Sequence, residues 1–167
     1  MIKKLYSQVC RLASASLVIG LLAACGGDKA PQVDYITIKG KTIAPADYQG
    51  QVMLVNFWAT SCTTCVKEMP QIVDTHNKFK DRGFRTIAVA MSYDRPDYVV
   101  NFAETRQLPF DVALDVSGNI AKSFDDVKIT PTTFVINKKG QIIKTYVGEP
   151  DFNALHGLIE KSLAEKI

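Results

Sequence analysis

The sequence predicts an α/β fold with a mixed central sheet flanked by helices on both faces. Apolar segments of strand length alternate with amphipathic segments of helix length between residues 35 and 124. This alternation favours parallel strands joined by helical crossovers, which place helices on both faces of a sheet. The next two strand-length segments are joined by Lys138-Lys139-Gly140, a sequence typical of a hairpin turn. Antiparallel strands therefore complete the sheet, which makes it mixed.

The first half of the folded part contains two predicted strands and one long helix. Residues 35–38 form the first strand, and Gly40 follows as a turn residue. Residues 52–57 are almost continuously apolar, as expected for a strand that is buried on both faces. Residues 62–80 are predicted as a helix, because the side chains expected to face the sheet recur at steps of three and four residues. These side chains are Val66, Met69, Val73 and His76.

The second half continues the alternation and then closes with the hairpin and a helix. Asp94 is a candidate N-cap of a helix at residues 94–107, and Pro96 lies in its first turn. The other predicted elements are strands at 84–92, 110–115, 132–137 and 141–147, a short helix at 118–124 and a terminal amphipathic helix at 151–166. Because the first helix leaves the carboxyl end of a central strand, that junction is where such folds gather functional residues.

Residues 1–24 are predicted to be a secretory signal peptide. A basic start is followed by an apolar run at residues 12–24, too short for the ~20 apolar residues that span a bilayer. The run ends in Leu22-Ala23-Ala24-Cys25, which resembles the bacterial lipobox. The resemblance implies cleavage before Cys25 and a lipid on its sulfur. Ordinary signal cleavage near the two alanines is the alternative.

The leader also sets the expected location and the domain boundaries. Residues 25–33 are interpreted as a lipidated tether and residues 34–167 as the folded domain. A lipid on Cys25 implies a periplasmic or extracytoplasmic protein anchored to the bacterial membrane. Gly26 rather than an aspartate follows Cys25, which by the sorting rule of double-membrane bacteria favours the outer membrane.

Charge argues against nucleic acid as a partner. The sequence has 20 Lys and Arg against 17 Asp and Glu. Lys3, Lys4 and Arg11 belong to the leader, so 17 basic side chains remain against 17 acidic ones. The body is neutral overall, and its composition gives no reason to expect nucleic-acid binding.

Cysteine usage points to redox chemistry. Cys10 lies in the leader and Cys25 would carry lipid, so Cys62 and Cys65 remain as a lone C-x-x-C pair. A zinc site would need two further ligands, and only His76 and His156 are available. A structural disulfide that closes so small a loop adds little stability. We therefore expect a redox pair, with no metal and no cofactor.

The position of the pair at a helix start predicts unequal roles for the two cysteines. Cys62 lies where unpaired backbone N–H groups and the helix dipole favour a thiolate. Cys65 lies one turn inside the helix and should be more buried. Cys62 is thus the expected nucleophile toward a partner disulfide, and Cys65 is expected to resolve the mixed disulfide.

Two motifs carry a resemblance to a known family. The first runs from Val55-Asn56-Phe57-Trp58-Ala59-Thr60 through the C-T-T-C pair to Glu68-Met69-Pro70, and the second is Ile129-Thr130-Pro131-Thr132-Thr133-Phe134-Val135-Ile136. Together they resemble the TlpA/ResA branch of the thioredoxin superfamily. The resemblance implies a thioredoxin-like fold and a thiol–disulfide oxidoreductase that reduces protein disulfides. It also implies a transmembrane thiol carrier as electron donor and cytochrome c maturation as one client pathway.

The resemblance also implies roles for single residues. Pro131 would be a cis-proline that lies beside the disulfide and keeps metals away from the sulfurs, with an ordinary turn before an edge strand as the alternative. Thr130 would offer backbone groups to an extended substrate strand. Glu68 shares a helix face with Cys65 and would exchange a proton with it, with a solvated carboxylate as the alternative. Trp58 is either a platform that shields the disulfide and contacts substrate, or a core residue.

Departures from related patterns shape the remaining expectations. Asn56 stands where thioredoxins proper carry a buried aspartate, which shifts proton transfer to Glu68 or water. A copper-binding chaperone on the same fold is one alternative function, but it needs a Cys-x-x-x-Cys pair and a histidine beside it. A thiol peroxidase is the other, and it needs Pro and Thr where Val55 and Ala59 stand.

Overall fold

The computed structural model describes residues 28–166, so the predicted signal peptide and Cys25 lie outside the described residues. The strands are β1 (Tyr35–Ile36), β2 (Thr42–Ile43), β3 (Val52–Trp58), β4 (Phe84–Ala90), β5 (Asp111–Leu114), β6 (Thr132–Ile136) and β7 (Ile142–Val147). The α-helices are α1 (Thr63–Phe79), α2 (Pro96–Thr105), α3 (Asn119–Ser123) and α4 (Phe152–Ala164). None of the helices within these residues combines the length and apolar character needed to cross a membrane.

The predicted mixed sheet is confirmed, with β3 at its centre. The strand order is β5-β4-β3-β6-β7. β3 pairs parallel with β4, so that Val52 lies opposite Phe84, and antiparallel with β6. β5 continues the parallel side and β7 the antiparallel side. The carboxyl end of β3 therefore lies beside the amino end of β6, which brings two distant motifs to one edge of the sheet.

The core has two layers, one on each face of the sheet. Successive side chains of a strand point to opposite faces, and β3 therefore contributes Met53, Val55 and Phe57 to one layer and Val52, Leu54 and Trp58 to the other. In the first layer the ring of Phe57 lies 5.3 Å from that of Phe124. Full burial of one such side chain stabilises the fold by about 1.5–3 kcal/mol. The continuous apolar run of β3 thus reflects burial on both sides.

Helix α1 covers the second layer with a face that differs slightly from the predicted one. Met69 and His76 are buried as expected, but Val66 and Val73 are only half-buried. The buried face also includes two polar side chains, Glu68 and Thr75, and the remaining buried residues are Cys65, Ile72 and Phe79. Apolar spacing alone could not locate a face that contains buried polar groups.

The N-terminal segment is more structured than predicted. The amide N of Ile142 donates to the carbonyl O of Asp28 (2.8 Å), and the amide N of Ala30 donates to Gly140 O (2.9 Å). Ala30 is buried in the first core layer. The prediction of a tether over residues 25–33 is therefore wrong for residues 28–30, which pair with the start of β7. A segment of three residues is too short to show the hydrophobic periodicity that would have indicated a strand.

The predicted first strand at residues 35–38 is divided between two partners. Tyr35–Ile36 pairs with β2, which was not predicted. The amide N of Ile38 instead donates to Val112 O of β5 (2.9 Å). Residues 28–38, hereafter the N-terminal strap, thus run from the β7 edge of the sheet to the β5 edge. Tyr35, in the middle of the strap, is buried in the first core layer.

Candidate active site

Cys62 and Cys65 lie where β3 gives way to α1, and they form a disulfide. Cys62 is the N-cap of α1 and has an extended backbone conformation. Its Sγ accepts a hydrogen bond from the amide N of Cys65 at 3.2 Å. Cys62 is partly exposed, whereas Cys65 has no exposed surface. The two sulfurs therefore differ in access, as their positions along the helix predict.

The same geometry favours negative charge on Cys62 when the disulfide is reduced. An amide N–H at a helix start carries partial positive charge and stabilises an anion placed at the N-cap. The thiolate is the reactive form of a cysteine in disulfide exchange. Cys65 lies within the second core layer, where burial disfavours an anion.

The second wall of the site comes from the segment before β6. The Thr130–Pro131 peptide bond is cis, as the resemblance implied. The carbonyl O of Thr130 lies 3.5 Å from Cys62 Sγ. The amide N of Gly148 donates to Pro131 O at 2.8 Å and ties this segment to the end of β7. The fold thus brings Thr130 and Pro131 against a cysteine that lies 68 residues earlier in the chain.

Glu68 is a buried carboxyl group, so the alternative of a solvated carboxylate is wrong. It has no exposed surface. Its Oε1 accepts a hydrogen bond from Asn56 Nδ2 at 3.0 Å, and the same amide also donates to Thr133 Oγ1 at 2.9 Å. Glu68 Oε2 and Asn56 Oδ1 have no hydrogen-bond partner among the described residues. Asn56, on the central strand, therefore holds the carboxyl group from the side of the sheet.

Burial raises the pKa of Glu68 to about 7, because removing the carboxylate from water disfavours its charge. The hydrogen bond from Asn56 opposes this increase in the pKa, and the negative charge of Glu149 adds to it. At neutral pH the group is thus poised between its protonated and ionised forms. A group with this property can both accept and release a proton under physiological conditions.

Trp58 is a core residue in this structure. It has no exposed surface, and its ring lies 5.1 Å from that of Phe102. It belongs to the same core layer as Cys65. Because Trp58 has no exposed surface, it is the core residue of the two alternatives, and the prediction that it contacts substrate is wrong. Its position beside the cysteines in the sequence did not reveal which way the ring points.

The loop between β4 and α2 contributes contacts that sequence reasoning missed. The carboxylate of Asp94 accepts hydrogen bonds from the amide N and the Oγ1 of Thr60, two residues before Cys62. Tyr93 Oη lies 3.2 Å from Thr130 Oγ1. Arg95, not Asp94, is the N-cap of α2. The prediction of a cap was wrong because an aspartate just before a helix gives the same sequence signal whether its side chain bonds locally or across the molecule.

The two histidines lie away from the cysteine pair. The ring of His76 packs against Phe110 at 5.5 Å, and His156 Nε2 lies 2.9 Å from Thr75 Oγ1. In the described part of the chain, no group of three or more His, Cys, Asp or Glu side chains is placed to hold a metal ion.

The family model described as Redoxin matches residues 26–159. This range includes both cysteines, the buried Glu68 and the Thr130–Pro131 segment.

Similar proteins carry the same kind of activity in their names. The thiol-disulfide oxidoreductase ResA of Bacillus thuringiensis is 35% identical over 136 residues, which cover 81% of this chain and 77% of that protein. ResA of Bacillus subtilis is 32% identical and covers 78% of this chain and 72% of that protein. A solution structure of a candidate thioredoxin from Neisseria meningitidis matches with a TM-score of 0.75 and 41% identity, over 81% of this chain and 90% of that one.

Proposed function

The chain belongs to the redoxin family and is a thiol–disulfide oxidoreductase with a thioredoxin-like fold, and from this premise we propose that it reduces protein disulfides through Cys62 and Cys65. The observation that carries the proposal is the unequal setting of the two sulfurs. Cys62 is partly exposed and accepts a hydrogen bond at the start of α1, while Cys65 is fully buried behind it.

The exchange proceeds in two steps that together move two electrons to the substrate. The Cys62 thiolate attacks one sulfur of the substrate disulfide, forming a mixed disulfide and releasing the other substrate sulfur as a thiolate. Cys65, once deprotonated, then attacks Cys62 Sγ, forms the Cys62–Cys65 disulfide and releases the second substrate thiolate. The substrate leaves reduced and the protein is left oxidised. A dithiol donor must restore the reduced pair.

We assign Glu68 as the group that takes the proton of Cys65 in the second step. Both side chains are buried on one face of α1 at a spacing of three residues, which makes them neighbours on the helix surface. Glu68 Oε2 has no partner within residues 28–166, so this oxygen is free to accept. A pKa near 7 lets the same carboxyl group release the proton again at neutral pH. Asn56 cannot titrate, and it acts by holding Glu68 Oε1.

Thr130 and Pro131 are proposed to bind the substrate chain. The Thr130 carbonyl faces Cys62 Sγ, and an extended substrate segment could pair with the backbone there as an added strand. Such pairing would present a substrate sulfur to Cys62 without requiring a particular side chain. We expect protein substrates with accessible disulfides.

Location and partners complete the proposal. The lipobox-like sequence supports cleavage before Cys25 and lipid anchoring, with the outer membrane favoured by Gly26. The protein would then act outside the cytoplasm and receive electrons from a transmembrane thiol carrier. Cytochrome c maturation, in which apocytochrome cysteines must be reduced before haem attachment, is the proposed client pathway.

Substitution of each cysteine tests the roles separately. Cys62→Ser should abolish the reduction of insulin disulfides, because the attacking sulfur is lost. Cys65→Ser should instead accumulate a mixed disulfide through Cys62, which mass spectrometry detects and dithiothreitol releases. Full insulin reduction by Cys62→Ser, or mixed disulfides formed through Cys65 instead, would overturn the assignment.

A further inference from the structure

One end of the sheet is distinctly basic. The segments 28–30, 80–85, 137–141 and 164–166 meet at the amino ends of β3 and β4. The amide N of Val52 donates to Gly83 O at 3.0 Å, and Ala30 N donates to Gly140 O. Lys138 Nζ donates to Leu163 O at 2.6 Å and so joins the hairpin to the end of α4. Met53 lies opposite Ile136, which sets the start of β3, and with it residues 80–85, beside the hairpin. The four segments therefore form one surface, hereafter the basic end.

The charges of this surface are unbalanced. It carries seven basic residues against three acidic ones, a net charge of +4: Lys29, Lys80, Arg82, Arg85, Lys138, Lys139 and Lys166 against Asp28, Asp81 and Glu165. Lys39 and Asp111, which line a cleft with Lys80 and Arg85, add one charge of each sign. Because the body as a whole is neutral, this excess must be matched elsewhere.

The opposite end of the sheet, which carries the disulfide, has the compensating charge. The segments 58–67, 91–97, 115–118, 126–131 and 147–151 hold three basic residues against six acidic ones, a net charge of −3. These are Lys67, Arg95 and Lys128 against Asp94, Asp97, Asp115, Asp126, Glu149 and Asp151. Charge is thus separated along the direction of the strands, with net negative charge at the active-site end and net positive charge at the opposite end.

The chain enters the folded domain at the basic end. Asp28 pairs with the start of β7, and Cys25 precedes it by three residues. A chain of three residues spans at most about 11 Å when fully extended. A lipid on Cys25 therefore holds the basic end close to the membrane, whatever path residues 26 and 27 take.

We propose that the basic end docks on the anionic lipid headgroups of the membrane that holds Cys25, so that the Cys62–Cys65 site faces away from it. This inference rests on the proposed lipid anchor and adds an orientation to it. Lysine and arginine within about a Debye length of an anionic leaflet are attracted to it, whereas the acidic active-site end would be repelled if it faced the leaflet. The seven residues of β3 separate the two ends by about 20 Å.

Lysine footprinting tests the orientation without altering the protein. The full chain, processed in a bacterial host and kept oxidised, is reconstituted in vesicles of phosphatidylcholine with or without phosphatidylglycerol. Its lysines are then acetylated and the rates read by mass spectrometry. Lys29 and Lys139 are exposed at the basic end, and Lys67 and Lys128 are matched controls near the active site, with side chains 73% and 75% exposed.

Phosphatidylglycerol should slow the acetylation of Lys29 and Lys139 roughly fivefold or more, and leave Lys67 and Lys128 unchanged. High salt should remove the difference, since the Debye length falls to about 3 Å at 1 M. A triple variant, K29Q/K139Q/K166Q, should lose the lipid-dependent protection of Lys80, whereas K67Q/K128Q should keep it. Equal rates at Lys29 and Lys139 in both vesicle types, or protection of Lys67 and Lys128 instead, would overturn the orientation.

The anchor is measured separately. An acyl mass on Cys25 and flotation with pure phosphatidylcholine vesicles report on the lipid alone, because these vesicles carry no net charge. If that mass is absent, the lipid anchor is wrong. In that case, binding of the basic end to anionic lipid is still tested. Vesicles with phosphatidylglycerol should recruit the unlipidated protein and protect Lys29 and Lys139.

Discussion

Glu68 shows how one residue links the sheet to the chemistry of the helix. It lies one turn after Cys65 on α1, and within residues 28–166 its carboxyl group accepts one hydrogen bond, from Asn56 on β3. A buried carboxyl group with one amide donor keeps a proton far more readily than an exposed one does. Its pKa near 7 ties the stability of the protein, and the proton transfer that we propose for Cys65, to pH in the physiological range.

Stability should therefore fall as pH rises. The pKa of Glu68 is raised from 4.5 to about 7 in the folded protein, so the folded state binds the proton more tightly than the unfolded state does. This contribution is complete below pH 4.5 and is lost as pH rises through 7, a change of about 3 kcal/mol at most. Urea unfolding of the oxidised protein between about pH 5 and about pH 8 measures it.

Glu68→Gln is the matching variant, because glutamine keeps the shape but cannot titrate. Its free energy of unfolding should depend less on pH than that of the native protein, and the two curves should diverge most above neutral pH. Glu104→Gln, at an exposed position of α2, serves as the control and should follow the native curve. If Glu68→Gln keeps the native pH slope, Glu68 does not titrate in this range.

The residue pattern anticipated part of this arrangement. The spacing of Cys65 and Glu68 predicted a shared helix face, and the absence of an aspartate at Asn56 pointed to Glu68 as the proton partner. The bond between Asn56 and Glu68 was not predictable, because it depends on how α1 packs across β3. The spacing of residues along one helix predicts which side chains share a face, but it does not predict which side chain of the neighbouring strand they contact.

At the scale of elements, the loop between β4 and α2 joins the two walls of the site. Asp94 holds the backbone and hydroxyl of Thr60, and Tyr93 reaches Thr130. In addition, the amide N of Met91 donates to Trp58 O at 3.0 Å. The position of Cys62 relative to Thr130 is therefore set by a loop that contains neither residue.

Asp94→Ala should disturb the position of Cys62 relative to Thr130. It removes two hydrogen bonds to a carboxylate, each worth about 1.5–3 kcal/mol, and leaves the Thr60 amide unpaired. We expect a lower free energy of unfolding and slower insulin reduction by the intact Cys62–Cys65 pair. Asp97→Ala is the control, since Asp97 is exposed and pairs with the nearby, exposed Arg95, so that its loss should have little effect. Equal behaviour of the two variants would contradict a positioning role for Asp94.

The elements themselves differ in how well their sequences predicted them. β3 and α1 were predicted nearly to their ends, because a long apolar run and a helical period are strong local signals. β1 and β2 are two residues each, and residues 28–30 pair through isolated backbone bonds. Pairings this short have no periodicity, so only the folded sheet reveals them.

At the scale of the whole molecule, the N-terminal strap completes the sheet and the first core layer. Ala30 and Tyr35 pack in the same layer as Phe57 and Phe134. Tyr48 Oη donates to Val33 O at 3.0 Å and fixes the middle of the strap. The folded domain therefore begins within three residues of Cys25.

Ala30→Asp should test whether the strap belongs to the fold. Ala30 is 7% exposed, and a charged side chain there must either remain buried without a partner or displace the strap. We expect a loss of about 2 kcal/mol or more in urea unfolding. Gln32→Asp, at an exposed position of the same strap, should change stability little. A strap that acts only as a tether would make both substitutions neutral.

The fold class followed from the alternation of strands and helices and from the hairpin, and these are properties of the whole chain. The charge polarity did not follow, because charges that are dispersed along the sequence become two opposed surfaces only after folding. The net charge of the body is zero and gives no indication of this separation.

The N-terminal strap also affects how copies of this protein can associate with one another. A free sheet edge offers unpaired N–H and C=O groups to the strands of other molecules, which promotes aggregation. Residues 28–30 occupy the start of the β7 edge, Thr37 and Ile38 lie along β5, and the exposed Lys144 lies farther along β7. If Cys25 carries the proposed lipid, copies of the protein would meet at high local density within one plane. The strap would then also keep the sheets of neighbouring copies from joining edge to edge.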